Sequence, residues 1–346
     1  MKIVLRLALV AVVAASAVLI CYAVRGRLPD NCAGTDTQQC RYDLDALRKT
    51  DTNLLIAAGV RYIRPAVTGV TALAVAADDT VLVGSRTGIE LLSPDGRSLA
   101  HFDTGARVHC LAVTDSGDIL AGFGDHIEVF GRDGARKAVW RSPAPGATLT
   151  SVAACTGLVF AADCANRVIW RFNLGGELLG RIGDSDDAER KNGFIVPSAF
   201  FDVAAGRDGT VWVVNPGAHR LENFTADGRF LSYWGRASMA ADGFCGCCNP
   251  SHFAINVDGS FVTSEKHIVR VKIYDPAGRL KGIISGQEQW DKEAVGLDLA
   301  VDSAGRILVL DPQADVVRVY SMEQADTPAE DAVGRVNAPG YGHKRQ

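Results

Sequence analysis

Between residues 69 and 322 the apolar and polar positions recur at intervals of roughly forty residues. The second halves of the copies align most readily. Gly88-Ile89-Glu90-Leu91-Leu92 precedes Asp95-Gly96, His126-Ile127-Glu128-Val129-Phe130 precedes Asp133-Gly134, and Arg167-Val168-Ile169-Trp170-Arg171-Phe172 precedes Gly175-Gly176. Arg220-Leu221-Glu222-Asn223-Phe224 precedes Asp227-Gly228, Val269-Arg270-Val271-Lys272-Ile273-Tyr274 precedes Ala277-Gly278, and Val317-Arg318-Val319-Tyr320 ends the series. Each run alternates, at least in part, apolar with polar side chains, the period of a half-buried strand. The glycine after each of the first five runs supplies the positive φ that a tight hairpin needs. First halves repeat as well: Leu73-Ala74-Val75 precedes Val81-Leu82-Val83, Leu111-Ala112-Val113 precedes Ile119-Leu120-Ala121, and Leu299-Ala300-Val301 precedes Ile307-Leu308-Val309.

Each unit therefore reads strand, turn, strand, loop, strand, turn, strand, which is one blade of a propeller. A sandwich of unrelated strands would have no reason to repeat in register six times. The prediction is an all-β fold, a six-bladed β-propeller over residues 54–322. The sixth copy stops near Met322 without an outermost strand. Upstream of the first copy, residues 54–63 have strand composition and no partner of their own, so they are expected to cover that open edge and close the ring. The units resemble those of the NHL-repeat family, in which an apolar strand ending near Asp-Gly is followed by an Arg-Val-aromatic strand. The resemblance covers residues 69–322 and implies a TolB-like propeller with a functional loop face.

The first 27 residues differ in kind. Leu7 to Val24 carries no charge and is flanked by Lys2, Arg6, Arg25 and Arg27. That length is at the lower limit for a membrane-spanning helix and exceeds the usual apolar region of a secretory signal. The expectation is an uncleaved single-pass anchor with the propeller on the extracytoplasmic side. A competing reading is cleavage at Ala15-Ser16-Ala17, which would leave the apolar stub Val18 to Tyr22; Leu19-Ile20-Cys21 makes a poor lipidation site. Residues 28–53 read as a juxtamembrane spacer and 323–346 as a disordered tail. A formal net charge of −4 without a basic block excludes a nucleic-acid surface.

In a propeller the innermost strands begin on one face and line a central channel. The residues just before Leu73, Leu111, Val152, Val203, Phe253 and Leu299 are Ala72, Cys110, Ser151, Asp202, His252 and Asp298. Asp202, His252 and Asp298 are the candidate metal ligands, a divalent cation supplying the charge that two acids in a channel require. The alternative is that these groups hydrogen-bond neighbouring backbone around the channel.

The least generic stretch is Gly243-Phe244-Cys245-Gly246-Cys247-Cys248-Asn249-Pro250, between the fourth and fifth units. Cys245, Cys247 and Cys248, with Cys164 from a loop expected on the same face, are candidates to hold a soft metal or an iron–sulfur cluster. Disulfides and a redox-active thiol pair are the competing readings. One C-x₂-C pair without a second leaves zinc-ribbon spacing unmet. The Cys-Cys-Asn-Pro run resembles one in an uncharacterised group of bacterial NHL proteins. Cys32 and Cys40 suggest a local disulfide, Cys110 and Cys155 buried thiols, and Thr263 to His267 a solvated loop.

Taken together, these readings suggest an envelope-anchored binding or scaffold module with a protein or small-molecule partner. The alternative is a metal-dependent propeller enzyme: lactonases, strictosidine synthase-like proteins and peptide-amidating lyases share the architecture implied by the resemblance. The lyases use several histidines from different blades, and only His252 matches here. If Leu7 to Val24 is retained, the mature protein stays in the membrane fraction after high-salt washing. A mature N-terminus just after Ala17 or Ala23, read by mass spectrometry, would exclude the anchor.

Overall fold

The structure is a computed structural model and describes residues 48–183, 193–291 and 294–322. The apolar segment at 1–27, the spacer as far as residue 47 with Cys32 and Cys40, Cys21, and the tail at 323–346 lie outside the described residues. Among the described residues no helix is long and apolar enough to cross a membrane.

Strands β1 to β24, numbered in chain order, form six four-stranded antiparallel sheets, so the fold is a six-bladed β-propeller. The first blade shows the plan: β2 (Val70–Val75), β3 (Val81–Ser85), β4 (Gly88–Leu92) and β5 (Ser98–Asp103) run from the axis outwards. The third-to-fourth-strand turns place Gly96, Gly134, Gly176, Gly228 and Gly278 at positive φ. At Gly278 a side chain would also strike Trp234, whose ring lies 2.7 Å from the position of an added Cβ.

Burial grades from axis to rim. The two middle strands β3 and β4 are buried throughout, whereas β5 is mostly exposed. Six apolar clusters form the core, each shared by two neighbouring blades. Val159, Phe172 and Trp170 of the third blade, for example, pack with Leu120 and Val129 of the second. Because both faces of a blade meet a neighbour, the polar positions within the alternating runs do not face solvent as half-buried strands would have them. Glu90, Glu222 and Lys272 are fully buried. Glu90 accepts the backbone N–H of Ala66 at 2.7 Å, and Glu222 accepts from Asn215 Nδ2 and Arg220 Nε, each at 2.8 Å. Glu90 Oε2 and Glu222 Oε1 are thus met by specific protein donors.

The sixth blade takes its outer strand from the other end of the chain. β1 (Ala57–Ile63) pairs antiparallel with β24 (Val316–Met322), with Tyr62 opposite Arg318 and Ile63 opposite Val317. Ile63 is buried in one cluster with Val67, Leu73, Leu310 and Val317 at the junction of the sixth and first blades; the closure therefore also packs that wedge. A chain starting at Gly69 is expected to aggregate or to melt well below one starting at Arg48. Ile63→Ala in the full chain should cost about 2–4 kcal/mol, lowering the melting temperature by roughly 5–10 °C. Equal melting temperatures by circular dichroism would show that β1 is dispensable.

Candidate functional site

The inner strands start on one face and converge on the axis. β6 (Cys110–Val113) and β18 (His252–Ile255) begin with Cys110 and His252 themselves. Asp202 and Asp298 immediately precede β14 (Val203–Ala205) and β22 (Leu299–Val301), and Ser151 lies in β10 (Leu149–Cys155). Cys110, Ser151, Asp202, His252 and Asp298 all line one central cavity of about 230 Å³.

His252 lies between the two acids: Nδ1 is 3.7 Å from Asp202 Oδ2 and 3.8 Å from Asp298 Oδ1. Both carboxylates are already engaged by backbone. Asp202 accepts the N–H of Val203 at 2.9 Å and that of Phe253, in the next blade, at 2.8 Å. Asp298 accepts from Leu299 and from Leu73 of the first blade, each at 2.8 Å. The three expected metal ligands therefore do meet, but as an ion-paired cluster in which every carboxylate oxygen holds an N–H. Among the described residues no group of three or more His, Cys, Asp or Glu side chains is placed to hold a metal ion. Burial pushes the Asp298 carboxyl up to about 6; Asp202 adds to the rise and His252 opposes it. Burial works against charge on His252, but the two acids outweigh it and raise its pKa. Cys110 is pushed up by burial and by the same acids, so it is a neutral thiol.

Above this cluster lies a wider mouth of about 510 Å³, lined among others by Arg107, His109, Thr150, Phe200, His252 and Gln313. Thr150 and His252 belong to both spaces. Burial and the nearby Arg107 depress the His109 pKa, so that ring is neutral near pH 7. Arg107 and His109 sit on the lead-in to β6 and carry no repeat signal, which is why the sequence pattern did not single them out.

The cysteine loop adjoins this mouth. Lys272 is buried, paired with Glu265, and donates to the carbonyls of Ala241 at 3.0 Å and Gly243 at 2.7 Å. Asn249, whose bond to Pro250 is cis, donates to Cys245 O at 2.7 Å and accepts from Lys266 N at 3.0 Å. The loop's shape is therefore held by a buried cation and a side-chain amide. Its thiols diverge. Cys245 is buried against Glu265 (3.9 Å) and Arg270 (3.5 Å). The Cys247 and Cys248 sulfurs lie 3.2 Å apart and unbonded, the first residue exposed and the second buried. Cys164 packs in the core wedge between the third and fourth blades, away from the loop cysteines. The four expected cofactor thiolates are thus not assembled, because Cys245 faces inward and Cys164 belongs to another wedge.

Ser198 donates to Cys248 Sγ at 3.3 Å and accepts from Lys266 Nζ at 2.9 Å. Burial opposes ionisation of Cys248, but hydrogen bonds from Lys266, Ser198 and Cys247 outweigh it and lower its pKa. Cys247, donating to that sulfur, is shifted upward. Lys266 also lies 4.7 Å from the centre of the Phe200 ring, which meets His252 edge-on at 5.7 Å. The loop and the channel cluster are therefore joined by a continuous line of contacts. Thr263 to Lys266 are buried and do not form a solvated loop: β19 (Phe261–Glu265) carries Thr263 to Glu265 into the blade, Lys266 follows it directly, and only His267 is exposed.

No family model and no curated protein matches the chain. Solved structures share the fold. A gluconolactonase from Xanthomonas campestris superimposes with a TM-score of 0.58 at 18% identity, covering 80% of this chain and 94% of that one. A streptogramin B lyase gives 0.54 at 14% identity over 76% of this chain and 97% of that one. Virginiamycin B lyase from Staphylococcus aureus gives 0.54 at 11% identity over 76% and 99%. At these identities the likeness is one of fold: the chain is a six-bladed β-propeller similar to these enzymes in architecture.

Proposed function

We propose that this protein is an envelope-anchored binding module whose ligand is a small molecule with an anionic group, seated in the mouth above His252. The observation that carries the reading is the mouth itself, where Arg107 and His252 face one space of about 510 Å³ that continues into the channel. A guanidinium presents a planar fork suited to a carboxylate or phosphate. When protonated, the form the two acids favour, the His252 ring adds a second cationic group. Thr150 and Gln313 offer polar contacts, and Phe200 offers an apolar face. The apolar segment at Leu7 to Val24 supports placement of this face outside the cytoplasmic membrane.

A second reading, a propeller enzyme of the lyase or lactonase kind, is favoured by one observation. Asp298, with a pKa near 6, can exchange a proton with His252 close to neutral pH. Such a pair suits general acid–base work.

Ligand-detected NMR with a panel of small carboxylates and phosphate esters should find binders whose affinity falls about 10- to 100-fold in Arg107→Ala, the cost of one charge-assisted hydrogen bond. Binders unaffected by both Arg107→Ala and His252→Ala would place the site elsewhere.

The acid cluster also predicts a pH dependence. A carboxyl whose pKa is raised on folding stabilises the fold relative to its ionised form only at low pH. Its contribution is present below about 4 and is lost as pH rises through the folded value of about 6. His252, also raised, acts in the same direction. Removing the acid should therefore help most at neutral pH. Relative to wild type, Asp298→Asn should gain about 1–3 kcal/mol in urea unfolding between pH 4 and pH 7. A difference that is flat with pH would contradict the burial of that charge.

A further inference from the structure

We propose that Cys247 and Cys248 are a thiol–disulfide exchange pair, in which the exposed Cys247 meets a small-molecule disulfide and the buried Cys248 resolves the adduct. The sulfurs are 3.2 Å apart, one on the surface and one beneath it. Around Cys248 stand Ser198 Oγ at 3.3 Å and, behind it, Lys266 Nζ at 2.9 Å from that hydroxyl. These donors favour the thiolate of the resolving sulfur, which is the nucleophilic form.

The chemistry balances in two steps. Cys247 passes its proton to the neighbouring Cys248 sulfur and attacks one sulfur of the disulfide RSSR, forming Cys247–S–S–R and releasing RS⁻, which takes that proton and leaves Cys248 as thiolate. The Cys248 thiolate then attacks Cys247 Sγ, breaking that new bond and expelling a second RS⁻. Net, the Cys247 thiol and the Cys248 thiolate lose two electrons and RSSR gains them, leaving as one RSH and one RS⁻ that is protonated by solvent. The buried sulfur never has to reach the oxidant; it moves only towards its neighbour. Cys245 takes no part, because its sulfur is held between Glu265 and Arg270.

Neighbouring Cα atoms across a trans peptide are about 3.8 Å apart, shorter than the roughly 4.4–6.8 Å of an ordinary disulfide. The ring that closes is therefore strained and easily reduced, as suits a switch rather than a staple. The loop around it is already held by Lys272 and Asn249, so the fold has no need of the bond for stability.

The test uses the full-length protein in mild detergent, incubated in graded ratios of glutathione disulfide to glutathione, acid-quenched, alkylated under denaturing conditions and mapped by mass spectrometry. Alkylation should be lost from Cys247 and Cys248 together, without retained glutathione, while Cys245 and Cys164 stay alkylated. Cys248→Ser should accumulate glutathione on Cys247, and Cys247→Ser should leave Cys248 unmodified at least 10-fold longer than ring closure takes in wild type. The proposal is overturned by wild-type protein that keeps glutathione on either residue, that oxidises at Cys245 or Cys164 instead, or that shows no paired loss at any ratio. Cys248 modified in Cys247→Ser at the wild-type rate would overturn the assigned order. The wild-type map decides the question even if either variant fails to fold.

Discussion

The constraint on which the molecule depends is the exposed edge of each innermost strand. Six sheet edges converge on the axis, and each presents backbone N–H and C=O groups that no fifth strand can pair. Side chains of the preceding blade answer them. Thr71 donates to Val108 O at 2.5 Å, Thr150 to Phe201 O at 2.6 Å, and Ser264 to Leu297 O at 2.8 Å. Asp202 and Asp298 do the same for Phe253 N and Leu73 N. The remaining junction is made by backbone, from Leu149 N to Gly124 O. Every blade is thus tied to the next near the axis, and the apolar wedges fill the space outside that ring.

This explains why the cluster at the axis can be structural and functional at once. The acids are held in place by N–H groups of two blades, which fixes their positions without neutralising them. Asp298 consequently shares a crowded, buried space with a second acid, and His252 supplies positive charge to both. A bound anion above His252 adds negative charge to that cluster and so favours a proton on Asp298. Ligand occupancy and protonation are accordingly coupled by position alone.

The blade count and the closing of the sixth sheet from within residues 54–63, by 57–63, were legible because strand period, turn glycines and a missing strand are local signals repeated many times. The meeting of Asp202, His252 and Asp298 was legible for the same reason, since equivalent positions in a repeat share a height on the axis. What the acids bond to was not, because Leu73 N and Phe253 N belong to other blades. Nor was the burial of Glu90, Glu222 and Lys272, whose alternation reads as a solvent face until both faces of the sheet are known to be covered. Cysteine spacing misled in a different way: three thiols in four residues suggest one cluster, yet the turn at Gly246 (φ +84°) accompanies their divergence, with Cys245 inward and Cys247 outward.

Lys266 links the two halves of the face. It is buried, and its ammonium is served by the Ser198 hydroxyl, the Cys248 sulfur and the Phe200 ring. An ammonium in such surroundings requires a counter-charge, and a Cys248 thiolate would supply it. Closing a disulfide at Cys247 and Cys248 would remove that anion and leave the cation with one neutral oxygen and one aromatic face. Phe200 touches His252 and lines the mouth. A positive charge newly uncompensated there would strengthen the pull on an anion at the mouth and oppose protonation of His252. The oxidation state of a surface thiol would then set the charge of a site one aromatic ring away, with no rearrangement of the blades required.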